Sequence, residues 1–295
     1  MTVLFQQLVN GFSLGATYAV FAIGFTMIFG VLNLLNMAHG AVFMWGAYIG
    51  LACVADLGLP LALAVPAAFV FSGLLSVSYE IVIFGPLRKK EAHRWIGLIA
   101  SLAMARGLVA LAQMIFGTHV VRYPTVGLLS GYMEMGGVRV HTLQIVIFGI
   151  AVLLMGALAF MLQRTRMGRA IRTVAFSPRV AELAGISVRN TAFATFFLAG
   201  ALAGVAGVLL GLLFNAVSPF MGETILLKGL TVVILGGLGS VPGAMLGGLL
   251  LGVIEVFSVG YVSSAFRDAI GFGLVFVILL IKPSGLFGQT EAARA

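Results

Sequence analysis

The chain has 295 residues, of which 61% are hydrophobic and only 9% charged, with a formal net charge of +8. A soluble domain carries about 25% charged residues, so a water-soluble enzyme or binding module is excluded and an integral membrane protein is indicated. Apolar runs of about 20 residues make its spans helices rather than barrel strands.

The first apolar run, residues 8–30, has no Lys or Arg before it; the first is Arg88. A secretory signal peptide opens on positive charge, so this run is expected to stay as the first span. The pattern then breaks at 31–40 (VLNLLNMAHG), where Asn33, Asn36 and His39 stand among apolar residues. Polar groups at that depth are costly unless they face protein or water. Apolar sequence resumes at Ala41 and runs to 55. Within it lies Cys53, alone in the chain, so an intrachain disulfide and a multi-cysteine metal site are both excluded. A third span covers 61–84. The loop 85–95 (GPLRKKEAHRW) carries four positive charges against one Glu, which retains it on the cytoplasmic side.

Span four, 96–116, holds Arg106 near its centre. Facing lipid, that charge would cost about 2.5–3.5 kcal/mol. It needs a partner, and the sequence predicts a buried ion pair with Glu255 on the penultimate span. Glu80 is close enough to the inner face to reach it by snorkelling, while Asp56 and Glu223 read as interfacial. Residues 118–140 form a Gly-rich external loop, and span five follows at 141–163. The next stretch, 164–190, has six arginines and is again cytoplasmic. Inside it Ser177 is placed to cap a helix beginning at Pro178, and Gly185 to end that helix in a left-handed turn. Such an ordered element is suited to docking. Val180 and Leu183 would offer apolar contact to a partner's groove, and Glu182 a charge-assisted one.

Span six, 192–214, contains Gly200, Gly204, Gly207 and Gly211, which let another helix backbone come close. Two short apolar pieces follow, 225–235 and 244–257, joined by GGLGSVPG at 236–243, and a last run covers 269–281. The expected fold is an all-α polytopic helical bundle, one transmembrane domain over residues 1–295. It has eight or nine spans and two interrupted hairpins, with the N-terminus outside in the nine-span count. Paired interruptions in the two halves of a transporter mark its central pathway. The path is therefore expected along Asn33, Asn36, His39, Gly40 and Ala41 from one break, and Gly236, Gly237, Gly239, Ser240, Gly243 and Ala244 from the other. Helix starts near Ala41 and Ala244 would offer free backbone N–H groups and partial positive charge to a carboxylate. His39 has a second reading, in which it hydrogen-bonds a carbonyl and holds the break in shape.

The chain has no GxxxxGK[ST], HExxH or GxSxG motif and no Cys/His ligand spacing. Its four histidines are scattered over different segments. No catalytic residue, metal site or cofactor is expected, and ATP hydrolysis would belong to a separate chain. The positive charge sits in two loops between spans, so membrane topology rather than nucleic-acid binding explains it.

Four stretches together resemble the permease subunits of bacterial branched-chain amino-acid ABC importers, specifically the shorter, Liv-type member. They are NGFSLGATYAVFAIGFTMIFGVLNLLNMAHG (10–40), GRAIRTVAFSPRVAELAGI (168–186), FFLAGALAGVAGVL (196–209) and GGLGSVPGAMLGGLLLGVIE (236–255). Met37 stands where the family often has Phe in Asn-Phe-Ala-His-Gly, and Ala181, Glu182 and Gly185 loosely echo the Glu-Ala-Ala loop of other ABC permeases. The resemblance implies a multi-pass protein of the bacterial inner membrane with four kinds of partner. These are two cytoplasmic ATPase subunits, a second permease chain, similar or identical, a periplasmic solute-binding protein, and the bilayer itself. It implies an amino-acid solute, with urea, short amides or aromatic acids as alternatives. Ser177, Pro178, Val180, Glu182, Leu183 and Gly185 would then couple the chain to the ATPase. A self-sufficient secondary transporter is the competing class; it would need buried acids for ion coupling, and only Glu255 and Glu80 are available.

Overall fold

The computed structural model describes residues 2–90, 93–124, 131–135 and 138–288. The expected loop positions 91–92, 125–130 and 136–137 lie outside them. Helices come in the order α1 (Thr2–Leu32), α2 (His39–Ala55), α3 (Leu61–Tyr79), α4 (Gly85–Lys89), α5 (Arg94–Phe116), α6 (Thr142–Arg164), α7 (Arg166–Phe176), α8 (Pro178–Leu183), α9 (Val188–Phe214), α10 (Met221–Gly236), α11 (Val241–Tyr261) and α12 (Arg267–Ile281). A π-helical turn, Glu80–Phe84, joins α3 to α4. Among the described residues, seven helices are long and apolar enough to cross a membrane. The 17-residue α2 and the 16-residue α10 reach only about 25 Å at 1.5 Å per residue, short of a ~30 Å hydrocarbon core.

Two triplets of helices form the core, α1–α2–α3 and α9–α10–α11. In the first, α1 ends where Asn33 takes a left-handed φ of 54°, and six residues pass before α2 begins; in the second, α9 ends at Asn215 with φ 47°, and again six residues precede α10. Only Asn and Gly visit that region readily. The packing repeats too: α1 lies on α11 as α9 lies on α3, α2 packs on α9 as α10 packs on α1, and α1 and α9 meet in the middle. Gly15 approaches Gly248 and Gly252, while Gly200 and Gly204 approach Ser72 and Ser76. Tyr18 shares a cavity with Leu210 and Phe214, whereas Gly24, further along α1, lies against Ala199. Hence α1 and α9 run antiparallel, and the two triplets are inverted copies about an axis across the helices.

This repeat corrects the sequence reading of which interruptions correspond. The counterpart of 33–38 is 215–220, not 236–243. The latter is a tight turn between α10 and α11, with Gly237 at φ 100° and Gly239 at φ 83°. Side-chain-free positions are needed there: a Cβ on Gly236 would strike Gly243, and one on Gly237 would strike Gly288. The C-terminal segment seals the turn through Leu286 N–H to Leu235 O (2.8 Å) and Phe287 N–H to Gly236 O (2.9 Å).

At the other end of the core, Val121 and Val217 exchange two 2.8 Å backbone hydrogen bonds. Tyr123 OH donates to the Ala47 carbonyl at 3.0 Å, and burial pushes its phenol pKa up, so it remains a donor at physiological pH. Strands β1 (Tyr132–Met135) and β2 (Val138–His141) make an antiparallel hairpin just before α6.

The arginine-rich stretch is ordered. Thr165 Oγ1 accepts from Gly168 N–H at 3.1 Å and starts α7, an amphipathic helix that buries Gly168, Ile171 and Val174. Ser177 Oγ accepts from Val180 N–H at 3.4 Å and starts α8, with Pro178 as its first residue. That helix ends in a Schellman motif: Ile186 N–H to Ala181 O (2.9 Å), Gly185 N–H to Glu182 O (3.0 Å), and Gly185 at φ 75°.

Candidate translocation site

The two short helices begin against each other. Gly40, second residue of α2, and Gly222, second residue of α10, touch backbone to backbone; a Cβ on either would run into the other's carbonyl. Each start presents unsatisfied N–H groups and roughly half a positive charge. Beside this contact opens a cleft of about 280 Å³, lined by Met37, Gly40 and Ala41 from α2 and the residues before it, Leu102, Ala105, Arg106 and Val109 from α5, and Gly222, Glu223, Leu226 and Leu227 from α10.

Of the residues expected on the path, Gly40 and Ala41 line the cleft. Asn36 and His39 are buried beside it and shape the break instead. Asn36 Oδ1 accepts from Ala38 N–H at 3.0 Å. His39 lies with Nε2 3.4 Å from the Phe21 carbonyl, its ring 4.8 Å from that of Phe21. Met37 N–H donates to Ser101 Oγ at 3.1 Å, tying the break to α5. Asn33 serves as the left-handed stop of α1. Gly236, Gly237, Gly239, Ser240, Gly243 and Ala244 are elsewhere, at the α10–α11 turn, where Ser240 Oγ caps α11 by accepting from Gly243 N–H at 3.1 Å. Their glycines answer to close backbone packing, with Gly239 against Gly30. These residues, expected beside the first break on the path, thus lie away from this cleft, whose α10 wall is formed by Gly222, Glu223, Leu226 and Leu227. One signal in the sequence marks them, an Asn seven residues before a Gly in both copies, Asn33 to Gly40 and Asn215 to Gly222.

The charge pairing also differs from expectation. Arg106 pairs with Glu223 across the cleft, both side chains accessible. Glu255 is instead buried among other partners: Lys228 Nζ at 2.6 Å, Arg267 Nε at 2.7 Å, and Tyr18 OH, which donates at 2.9 Å. Lys228 reaches Asp268 as well, at 3.0 Å. Arg106 thus has no part in this cluster, because Lys228 on α10 and Arg267 at the head of α12 already surround the carboxylate. Glu80, wholly buried on the π-helical turn, pairs with Arg88.

Of the expected coupling residues, Val180 and Leu183 are exposed on α8, and Leu183 is 85% exposed. Pro178 and Glu182 line a second cleft, about 490 Å³, shared with Arg88 and Lys89 of α4.

The family model described as "Branched-chain amino acid transport system / permease component" matches residues 7–281. The chain is 37% identical to the high-affinity branched-chain amino acid transport system permease protein BraD of Pseudomonas aeruginosa, over 98% of this chain and 97% of the relative. It is 36% identical to the LivH permease protein of Escherichia coli, with the same coverage. A probable branched-chain amino acid permease, LivH of Methanocaldococcus jannaschii, is 29% identical over 90% of this chain and 87% of its own length. No solved structure matches the chain. A match to nearly the whole sequence, on a bundle of apolar helices with a cleft between the two shorter ones, means that the chain belongs to the branched-chain amino acid transport system permease family.

Proposed function

We propose that the chain is one permease subunit of an ATP-binding-cassette importer in the bacterial inner membrane, moving a branched-chain or related amino acid into the cytoplasm through the cleft between α2, α5 and α10. The observation that carries this is the accessible Arg106–Glu223 pair, halfway along the 23-residue α5. Two charges facing lipid at that depth would cost about 2.5–3.5 kcal/mol each. That face is therefore turned to water or to another chain, as a path shared with a second permease subunit would be. The relatives' names, which specify branched-chain amino acids, support the solute class.

In this reading the arginine-rich α7–α8 segment and the loop around α4 are cytoplasmic, and α8 docks on an ATPase subunit, with two such subunits per assembly. A periplasmic solute-binding protein delivers the solute. Secondary transport is disfavoured because Glu80 and Glu255, the candidate coupling acids, are each engaged by basic partners. The test is ATP-driven uptake by the assembled complex in proteoliposomes, with leucine, urea, acetamide and benzoate as solutes. Leucine uptake is expected, and it should fall at least tenfold when Ala41→Trp fills a cleft of this size, with ATPase binding retained. Unchanged uptake by that variant would rule out the cleft as the path.

A further inference from the structure

Resting on the cleft as the path, the open ion pair across it has a chemical consequence. The side chains of Arg106 and Glu223 are 63% and 45% accessible, against 7% and 2% for Lys228 and Glu255. The inner pair is walled in as a brace, while the cleft pair is open to whatever enters. Among the described residues each of the two side chains has only the other as a hydrogen-bond partner. A guanidinium carries five N–H donors and a carboxylate about four acceptor positions, so both have capacity to spare, and an accessible pair is cheap to open. Beside the pair, the walls are aliphatic: Leu102, Val109, Leu226 and Leu227. The volume of about 280 Å³ lies just below the usual range of small-molecule sites, roughly 300–1,000 Å³, so it holds one small solute.

We propose that Arg106 and Glu223 form a selectivity filter for aliphatic zwitterions. A solute bearing carboxylate and ammonium on one carbon replaces both halves of the pair at once. Its carboxylate meets Arg106 in bidentate fashion, aided by the positive starts of α2 and α10. Its ammonium meets Glu223, and its aliphatic tail lies on the leucines. A solute with a single charge opens the pair but leaves one member without a counter-ion, which disfavours it relative to a zwitterion of the same shape.

The filter is tested on the full chain in lipid nanodiscs, by the rise in melting temperature with millimolar leucine, isoamylamine (no carboxylate) or 4-methylpentanoate (no ammonium), since a ligand of the folded state stabilises it by an amount that grows with the logarithm of its concentration over Kd. Wild type should respond most to leucine. Arg106→Leu should move the preference toward isoamylamine, and Glu223→Leu toward 4-methylpentanoate, each by about tenfold in relative affinity for one lost charge-assisted contact. A purely structural pair would not shift the two ratios in opposite directions. Should either single variant fail to fold, the exchanged variant Arg106→Glu/Glu223→Arg keeps a pair and is expected to keep the leucine preference. Equal response of wild type to all three probes, or ratios unchanged by the substitutions, overturns the filter. Leucine uptake by the wild-type assembly is measured alongside. If uptake is present and the preferences are flat, the filter alone fails; if the preferences are as expected but Ala41→Trp leaves uptake unchanged, the path role fails.

Discussion

Glu255 illustrates how a single buried carboxylate fixes its neighbourhood. With its side chain 2% exposed, it is held by Lys228, Arg267 and Tyr18 from three other helices. Removing it leaves the buried Lys228 with only the more exposed Asp268 as counter-ion, so Glu255→Leu is expected to destabilise the fold by about 3 kcal/mol, the lower end of the cost of breaking a buried pair. Unfolding in detergent should show Lys228→Leu and Glu255→Leu to be strongly non-additive, and Arg106→Leu and Glu255→Leu to be additive; the reverse result would restore the pairing expected from sequence. That pairing was not legible because charge partners far apart in sequence are set by which helices touch. Lys228 in particular sat inside a run that read as uniformly apolar. Glycines divide in the same way. Gly222→Val is expected to impair folding by several kcal/mol, as overpacking against the Gly40 backbone. Gly107→Ala, with open space at its Cβ on α5, should be neutral or stabilise by up to about 1 kcal/mol. Melting temperatures of the two variants check both.

The α8 helix was the most legible element, because every signal that defines it is local. Ser177, Pro178 and Gly185 occupy the cap, first-turn and left-handed positions that their chemistry favours, and none depends on distant packing. Its neighbour α7 was missed, since Arg166, Arg169 and Arg172 read as loop charge while Gly168, Ile171 and Val174 form its buried stripe. The second break was not legible for another reason: residues 215–220 fall between the end of one apolar run and the start of the next, and the denser glycine signal lies at 236–243. Gly185→Val puts a β-branched residue at φ 75° with no steric obstacle nearby, so its cost is confined to the end of α8. Membrane insertion should be intact while ATP hydrolysis no longer drives uptake. Coupled transport at the wild-type rate in this variant would remove α8 from the coupling role.

For the molecule as a whole, the inverted copies α1–α3 and α9–α11 present nearly the same frame to either side of the membrane. The basic loops break that equivalence. Cysteines introduced at Lys90 or Arg172, in a background with Cys53 replaced, are expected to resist a membrane-impermeant maleimide added from outside and to react once the cells are opened. Strong labelling of intact cells would invert the orientation. The left-handed stops at Asn33 and Asn215 extend this to the history of the chain. Two matching stops, each seven residues ahead of a glycine that abuts its twin, are what an ancestral three-helix piece would leave if it had once paired with an upside-down copy of itself. A frame of that kind has no intrinsic top or bottom, so which way is up rests with the basic residues of the connecting segments rather than with the paired triplets.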